Sequence, residues 1–254
     1  MKRIFAIARN TFRETLRDRI LWSVLVLMLA LIAFSLFAGS VSLEQDTRLI
    51  VDFGLTAIYL LQMFVAIFIG SMLIYKEVER KTFFLIITKP IRREEIILGK
   101  CLGLVGTTLA MTALSTLALF AIMALKGIEG FYFHIILSVL LSTLESVLLI
   151  LVSILFSGLT SPILSAVYTI AFFLIGHSSG ILRTLIESQT TITKYFLEFA
   201  YYVLPNLEKF NIRNEVIYGT LPDARGMVAS LLYAIFYGIF LFLLTRAMFA
   251  KKEF

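Results

Sequence analysis

Few side chains in this 254-residue chain are of a type, and at a spacing, that could do chemistry. A single cysteine, Cys101, excludes an internal disulfide, and the two histidines, His134 and His177, stand far apart with no Cys or carboxylate cluster around them. A phosphate-binding loop needs glycine five residues ahead of a Gly-Lys pair, because its backbone N–H groups must wrap the phosphates. Ahead of Gly99-Lys100 that place is held by Glu94, so this chain does not bind ATP in that way. The patterns HExxH, CxxC and GxSxG are absent as well. Met28, Met63, Met72, Met111 and Met123 come singly, without Cys or His at ligand spacing, and read as apolar filler instead of a copper path. No catalytic set and no metal site is expected.

One acid does stand out. Glu145 lies inside a long apolar stretch, where an ionised carboxylate costs on the order of 2.5–3.5 kcal/mol on insertion scales. It must face protein or water, or carry a proton. As a functional group it is a possible pathway or gating residue; as a packing group it hydrogen-bonds a neighbouring span near Ser142 and Thr143. His177, beside Ser178 and Ser179, reads as a solvated histidine close to the outer surface. Gly99-x-x-x-Gly103 and Gly176-x-x-x-Gly180 permit close approach of helices.

The elements that must position these groups are membrane spans. The chain is 59% hydrophobic and 16% charged, with a mean hydropathy of +0.94. Soluble domains sit nearer 45–50% and about 25%, so the fold class expected is all-α integral membrane. Residues 1–19 form a basic amphipathic helix, with Phe5, Ala8, Phe12 and Leu16 on one side and Lys2, Arg3, Arg9, Arg13 and Arg17 on the other. Six spans follow, at 20–38, 53–75, 101–125, 131–156, 163–182 and 227–249, all within one transmembrane domain. A charged stretch, 76–100, separates the second span from the third, and a longer segment, 183–226, separates the fifth from the sixth. Within the latter, Thr191–Leu204 is dense in aromatics (Tyr195, Phe196, Phe199, Tyr201, Tyr202) and reads as a short re-entrant or interfacial helix ended by Pro205. The polar remainder reads as turns.

Charge fixes the expected orientation. With both termini cytoplasmic, 16 of the 23 Lys/Arg face inward and seven outward, while the acids, apart from Glu145, divide seven inward and nine outward. The inner side then carries +9 and the outer −2, as the positive-inside rule requires. The net charge of +6 thus reports membrane orientation and not nucleic-acid binding. A multi-pass protein of the cytoplasmic (inner) membrane is expected.

The stretch Lys76–Lys100 combines seven Lys/Arg and four Glu with five consecutive large apolar residues, Phe83, Phe84, Leu85, Ile86 and Ile87. A solvated connector has no use for such a run; a docking surface has. Glu77-x-Glu79-Arg80-Lys81-Thr82, Lys89-Pro90-Ile91-Arg92-Arg93 and Ile97-Leu98-Gly99-Lys100 resemble the cytoplasmic loop of ABC-2-type transporter permeases, which follows the second of six spans. Lys81 departs from the usual Gly, and Arg92 from the usual Ser. Leu204-Pro205-Asn206 with Glu208-x-Phe210 is similar to the subgroup linked to copper-enzyme maturation and gliding motility.

The resemblance implies an elbow helix at the N-terminus and a coupling helix near Arg80–Thr88. It further implies re-entrant outer helices at Thr191–Leu204, and two permease chains working on two separate cytoplasmic ABC ATPase subunits. The coupling contact would be carried by Glu77, Glu79, Lys81, Thr82, Phe83, Phe84, Leu85, Pro90, Arg92, Arg93 and Lys100. ATP and Mg²⁺ would belong to the partner ATPase, so this chain is expected to be no enzyme and to hold no cofactor. A second permease chain (a homodimer or a close paralogue) and membrane lipid are the other expected partners. The direction implied is export or extraction. The competing class is an ATP-independent membrane protein, a secondary transporter or the anchor of an assembly. It should show ion-coupling acids and an internal repeat, and the chain offers Glu145 and no visible repeat.

Overall fold

The fold, taken from a computed structural model, is described for residues 2–41, 46–73, 93–180, 186, 194–195, 198, 205–220 and 223–250. All regular structure among them is helical. In chain order these are α1 (Lys2–Leu16), α2 (Arg19–Val41), α3 (Asp46–Leu73), α4 (Arg93–Lys126), α5 (Tyr132–Ser157), α6 (Pro162–His177), a 3₁₀ turn at Glu208–Phe210, α7 (Arg213–Ile217) and α8 (Ala224–Ala250). Among the described residues five helices are long and apolar enough to cross a membrane, and α6 is apolar but has only 16 residues. The chain is a multi-pass, all-α integral membrane protein.

The charged ends of the spans prove helical. Helix α4 starts at Arg93, eight residues before the apolar run at Cys101, and its 34 residues rise about 51 Å, well beyond the roughly 30 Å of hydrocarbon. Glu94 and Glu95 in its first turn suit the positive end of the helix dipole. Likewise α3 begins at Asp46, an acid in the first turn, instead of at the first aromatic, Phe53. Between α5 and α6 the chain turns through Gly158–Ser161, and Pro162 occupies the start of α6, where its missing N–H costs nothing.

Burial ranks the spans. In the most apolar window of each helix, 72% of α3 and 67% of α5 is buried, against 28% of α2 and 17% of α8. Helices α3 and α5 are therefore the centre. Helix α2 packs on α3, α8 on α5, and α4 on both α3 and α5. The outward faces of α2 and α8 (Phe34, Phe37, Phe236, Phe240) are apolar and exposed, as lipid contact requires.

Helix α1 does not lie apart from the bundle. It docks on the first three turns of α4 through Gly99 and Gly103. A Cβ on Gly99 would come within 2.7 Å of Ile7, and one on Gly103 within 2.6 Å of the Ala8 carbonyl oxygen. The side of α1 that packs is thus Ile4, Ile7, Ala8 and Thr11. Phe5, expected on the apolar side, is 72% exposed. Asp18 ends the elbow by accepting the Ile20 N–H at 3.0 Å, an N-cap for α2, while the Trp22 indole N–H reaches back to the Leu16 carbonyl at 2.7 Å.

At the opposite end of the bundle, α6 stops short. Sixteen residues give about 24 Å, less than a full crossing. The space beyond it is filled by residues 205–217. Leu207, Phe210 and Val216 are completely buried there and Ile212 nearly so. The Leu207 N–H donates to the Gly176 carbonyl at 3.0 Å, and the Asn206 N–H donates to the Tyr233 hydroxyl of α8 at 2.9 Å. The stretch read from its polarity as plain turns is a packed plug. Of the aromatic segment Thr191–Leu204, only 194–195 and 198 fall within the described residues.

Candidate functional site

Helix α3 carries Tyr59 and Gln62 one turn apart, so both face the same neighbours. Those neighbours are α4, α5 and α6, and each presents a polar side chain. Tyr59 lies near the middle of α3 and its hydroxyl donates to Glu145 Oε1 of α5 at 2.9 Å. The Tyr59 hydroxyl oxygen is also 3.1 Å from His177 Nε2 at the end of α6, and His177 Nε2 is 3.5 Å from Glu145 Oε1. Three helices thus meet at one carboxyl, one phenol and one imidazole. Glu145 is 0% exposed.

The hydrogens can be followed. The Phe173 carbonyl, 3.2 Å from His177 Nδ1, can only accept, so Nδ1 carries hydrogen. A phenol has one hydrogen and cannot serve Glu145 and His177 at once. Two uncharged-overall arrangements satisfy every short contact. In one, Tyr59 donates to an ionised Glu145 and the second imidazole N–H faces them both. In the other, a protonated Glu145 donates to Tyr59, which donates to His177. They differ by the position of protons within the set, so the three groups can hold and pass a proton.

A second polar layer lies one turn along α3. The Gln62 amide donates to Thr143 of α5 at 2.9 Å and to Thr112 of α4 at 3.2 Å. Ser142 and Thr143, the expected neighbours of Glu145, turn their hydroxyls to the Val139 carbonyl of their own helix instead. Three buried polar atoms around these layers, Glu145 Oε2, Gln62 Oε1 and Ser115 Oγ, have no hydrogen-bond partner among the described residues. Such orphans are expensive in an apolar interior, and they mark the interior as a place that receives a donor. Just beyond, α3 changes to a π-turn over Val65–Ile69, a local rewinding of a kind frequent at functional sites.

The plug supplies a cation. Arg213, at the start of α7, lays its guanidinium over the Tyr59 ring with Cζ 4.1 Å from the centroid. Its Nε–H donates to Asn211 Oδ1 at 2.9 Å and its Nη1–H to Thr56 at 3.4 Å. Tyr59 is therefore sandwiched between an acid at its hydroxyl and a base on its face. Phe173 completes the aromatic wall, 6.3 Å from Tyr59 and 4.5 Å from His177 between centroids.

Of the residues expected to matter, Glu145 and His177 are brought together, and His177 is half-buried and partnered instead of solvated at a surface. Tyr59, Gln62 and Arg213 were not anticipated. The pair Tyr59 and Gln62, three apart in an apolar span, was the available signal; Arg213 had none. Among the expected coupling residues, Glu77, Glu79, Lys81, Thr82, Phe83, Phe84, Leu85, Pro90 and Arg92 lie outside the described residues. Arg93 opens α4. Lys100 is 2% exposed, and its amine donates at 2.9 Å to the carbonyl of Leu73, the last residue of α3. Lys100 thus ties the two ends of the charged segment together. No group of three His, Cys, Asp or Glu side chains among the described residues could hold a metal ion.

A family model described as ABC-2 family transporter protein matches residues 5–247, nearly the whole chain. No curated protein matches the chain.

Proposed function

We propose that this chain, which belongs to the ABC-2 transporter family and is thus a permease of an ABC transporter, forms the substrate path and is driven by separate cytoplasmic ATPase subunits. The family match over residues 5–247 is the observation that carries the reading. The chain has no phosphate-binding loop of its own, so ATP and Mg²⁺ belong to two partner ATPases. A second permease chain completes the unit, the membrane is the cytoplasmic one with both termini inside, and the direction is export or extraction.

The contact with the ATPase is Lys76–Lys100. Phe83, Phe84 and Leu85 enter an apolar groove of the partner. Glu77, Glu79, Lys81, Arg92 and Arg93 pair with its charges, Thr82 lies beside them, and Pro90 ends the short coupling helix. Two features of the fold support this lever. The segment runs directly into α4, on which α1 is docked, and the Lys100–Leu73 bond ties α4 to the end of α3. A push on the segment then reaches the helix that bears Tyr59 and Gln62.

Co-purification tests the reading. Tagged wild-type chain should bring down a Walker-motif ATPase from native membranes, and Phe84→Asp should lose it while inserting normally. Undiminished capture by Phe84→Asp would remove the docking claim.

A further inference from the structure

We infer that the Tyr59 ring face and the Glu145 carboxylate form a binding site for an organic cation, a guanidinium or alkylammonium group, and that Arg213 occupies this site as its tethered stand-in. The inference rests on the permease reading for its meaning: it names the class of substrate that the path accepts.

An aromatic face with a carboxylate at its edge is what a desolvated cation requires. Here the face is Tyr59, with Arg213 Cζ at 4.1 Å. The acid is Glu145, on the Tyr59 hydroxyl at 2.9 Å. Neutral acceptors, Asn211 and Thr56, hold the guanidinium, so its release breaks no ion pair among the described residues. Glu145 Oε2 is buried and has no partner among the described residues, an acceptor still waiting for a donor. That orphan is an observation independent of Arg213.

A chamber also lies next to the site and shares Asn211 with it. A cavity of about 300 Å³ lies between the plug, α5 and α8, and Asn211, which holds Arg213, lines it. Leu141, Ile212 and Met227 make its apolar wall, and Glu208 and Glu215 its charge. Glu215 Oε2 is buried without a hydrogen-bond partner among the described residues. The base in the lining, Lys209, is drawn over the Tyr233 ring at 4.9 Å. An amphipathic cation fits such a chamber better than an anion or a sugar.

Exchange chemistry links the two. Lifting Arg213 away empties the buried Tyr59 face of its cation and leaves Glu145 Oε2 still without a donor among the described residues, which is costly in an apolar interior. A substrate cation that takes its place restores the charge. Opening of residues 205–217 is thus favoured by the ligand, and the plug becomes a gate that a cation unlocks.

The test uses the purified full chain in neutral phosphatidylcholine nanodiscs, with octylguanidinium as probe and octylurea as its neutral analogue. Arg213→Ala and the milder Arg213→Gln should each bind octylguanidinium about tenfold more tightly than wild type, with no gain for octylurea. Adding Glu145→Gln should abolish the gain. On the wild-type chain, octylguanidinium should increase amide hydrogen exchange within 205–217, and octylurea should not. Absence of any gain in the Arg213 variants, an equal gain for octylurea, or unchanged exchange in the wild type would each overturn the cation site. Because no ATPase is present, such failure leaves the permease reading standing, and that reading fails separately if no ATPase co-purifies.

Discussion

Tyr59 joins what the sequence keeps far apart. Its hydroxyl meets Glu145 86 positions along the chain and His177 118 positions along, while its ring carries Arg213. No periodicity or spacing rule predicts contacts at such separations. Glu145 itself was legible as an acid in an apolar run, but its partners were not, because hydropathy reports how deep a residue sits and not which helix it faces. A single substitution can separate the two roles open to Glu145. Glutamine keeps the side-chain volume and an oxygen for the Tyr59 hydroxyl, so Glu145→Gln should leave assembly intact while removing the charge and the exchangeable proton. Transport is expected to fall about tenfold, equal to a barrier increase near 1.4 kcal/mol, with an unchanged elution profile. Equal loss of assembly and transport would make Glu145 a packing group.

At the scale of elements, hydropathy and one proline were enough to show apolar helices and the break at Pro162, and Gly99-x-x-x-Gly103 was visible as a possible close approach. What it approaches was not visible. Helix α1 was expected with an apolar side for lipid, yet Ile7 and Ala8 turn to the glycines of α4, because two helices gain more from close packing than from a loose interfacial seat. The inward fold of 205–217 was also hidden. Its buried anchors Leu207, Phe210, Ile212 and Val216 are spaced among charges, and the site they fill exists only because α6 is short. The elbow contact makes a prediction. Gly103→Leu places a branched side chain where even a Cβ lies 2.6 Å from the Ala8 carbonyl, so α1 should detach. Trypsin cleavage at Arg9 and Arg13 should then rise about tenfold as local opening becomes easier. An unchanged cleavage rate would mean that α1 is held by other contacts.

At the scale of the molecule, the sequence sufficed for class and family. The surplus of Lys and Arg on one side also sets the expected orientation, which labelling can check. In a Cys101→Ala background, a cysteine at exposed Lys2 should react with an impermeant maleimide only from the cytoplasmic side. One at Tyr218, which is 69% exposed, should react only from the other. Labelling of each only from the opposite side would reverse the topology and place the charged segment where no ATPase can reach it. Within that orientation the described residues form a chain of contacts: the α1–α4 unit, Lys100 on the end of α3, and Tyr59 below the Arg213 plug. The central claim is that hydrolysis in another subunit drives this chain through that segment. The direct measurement is the ATP turnover of the co-purified ATPase, alone and after reconstitution with this chain in nanodiscs. The account predicts that the ATPase becomes membrane-bound and changes its turnover with the wild-type chain, and behaves as the free enzyme with Phe84→Asp. An ATPase that stays soluble, with the same turnover whether or not the chain is present, would contradict it.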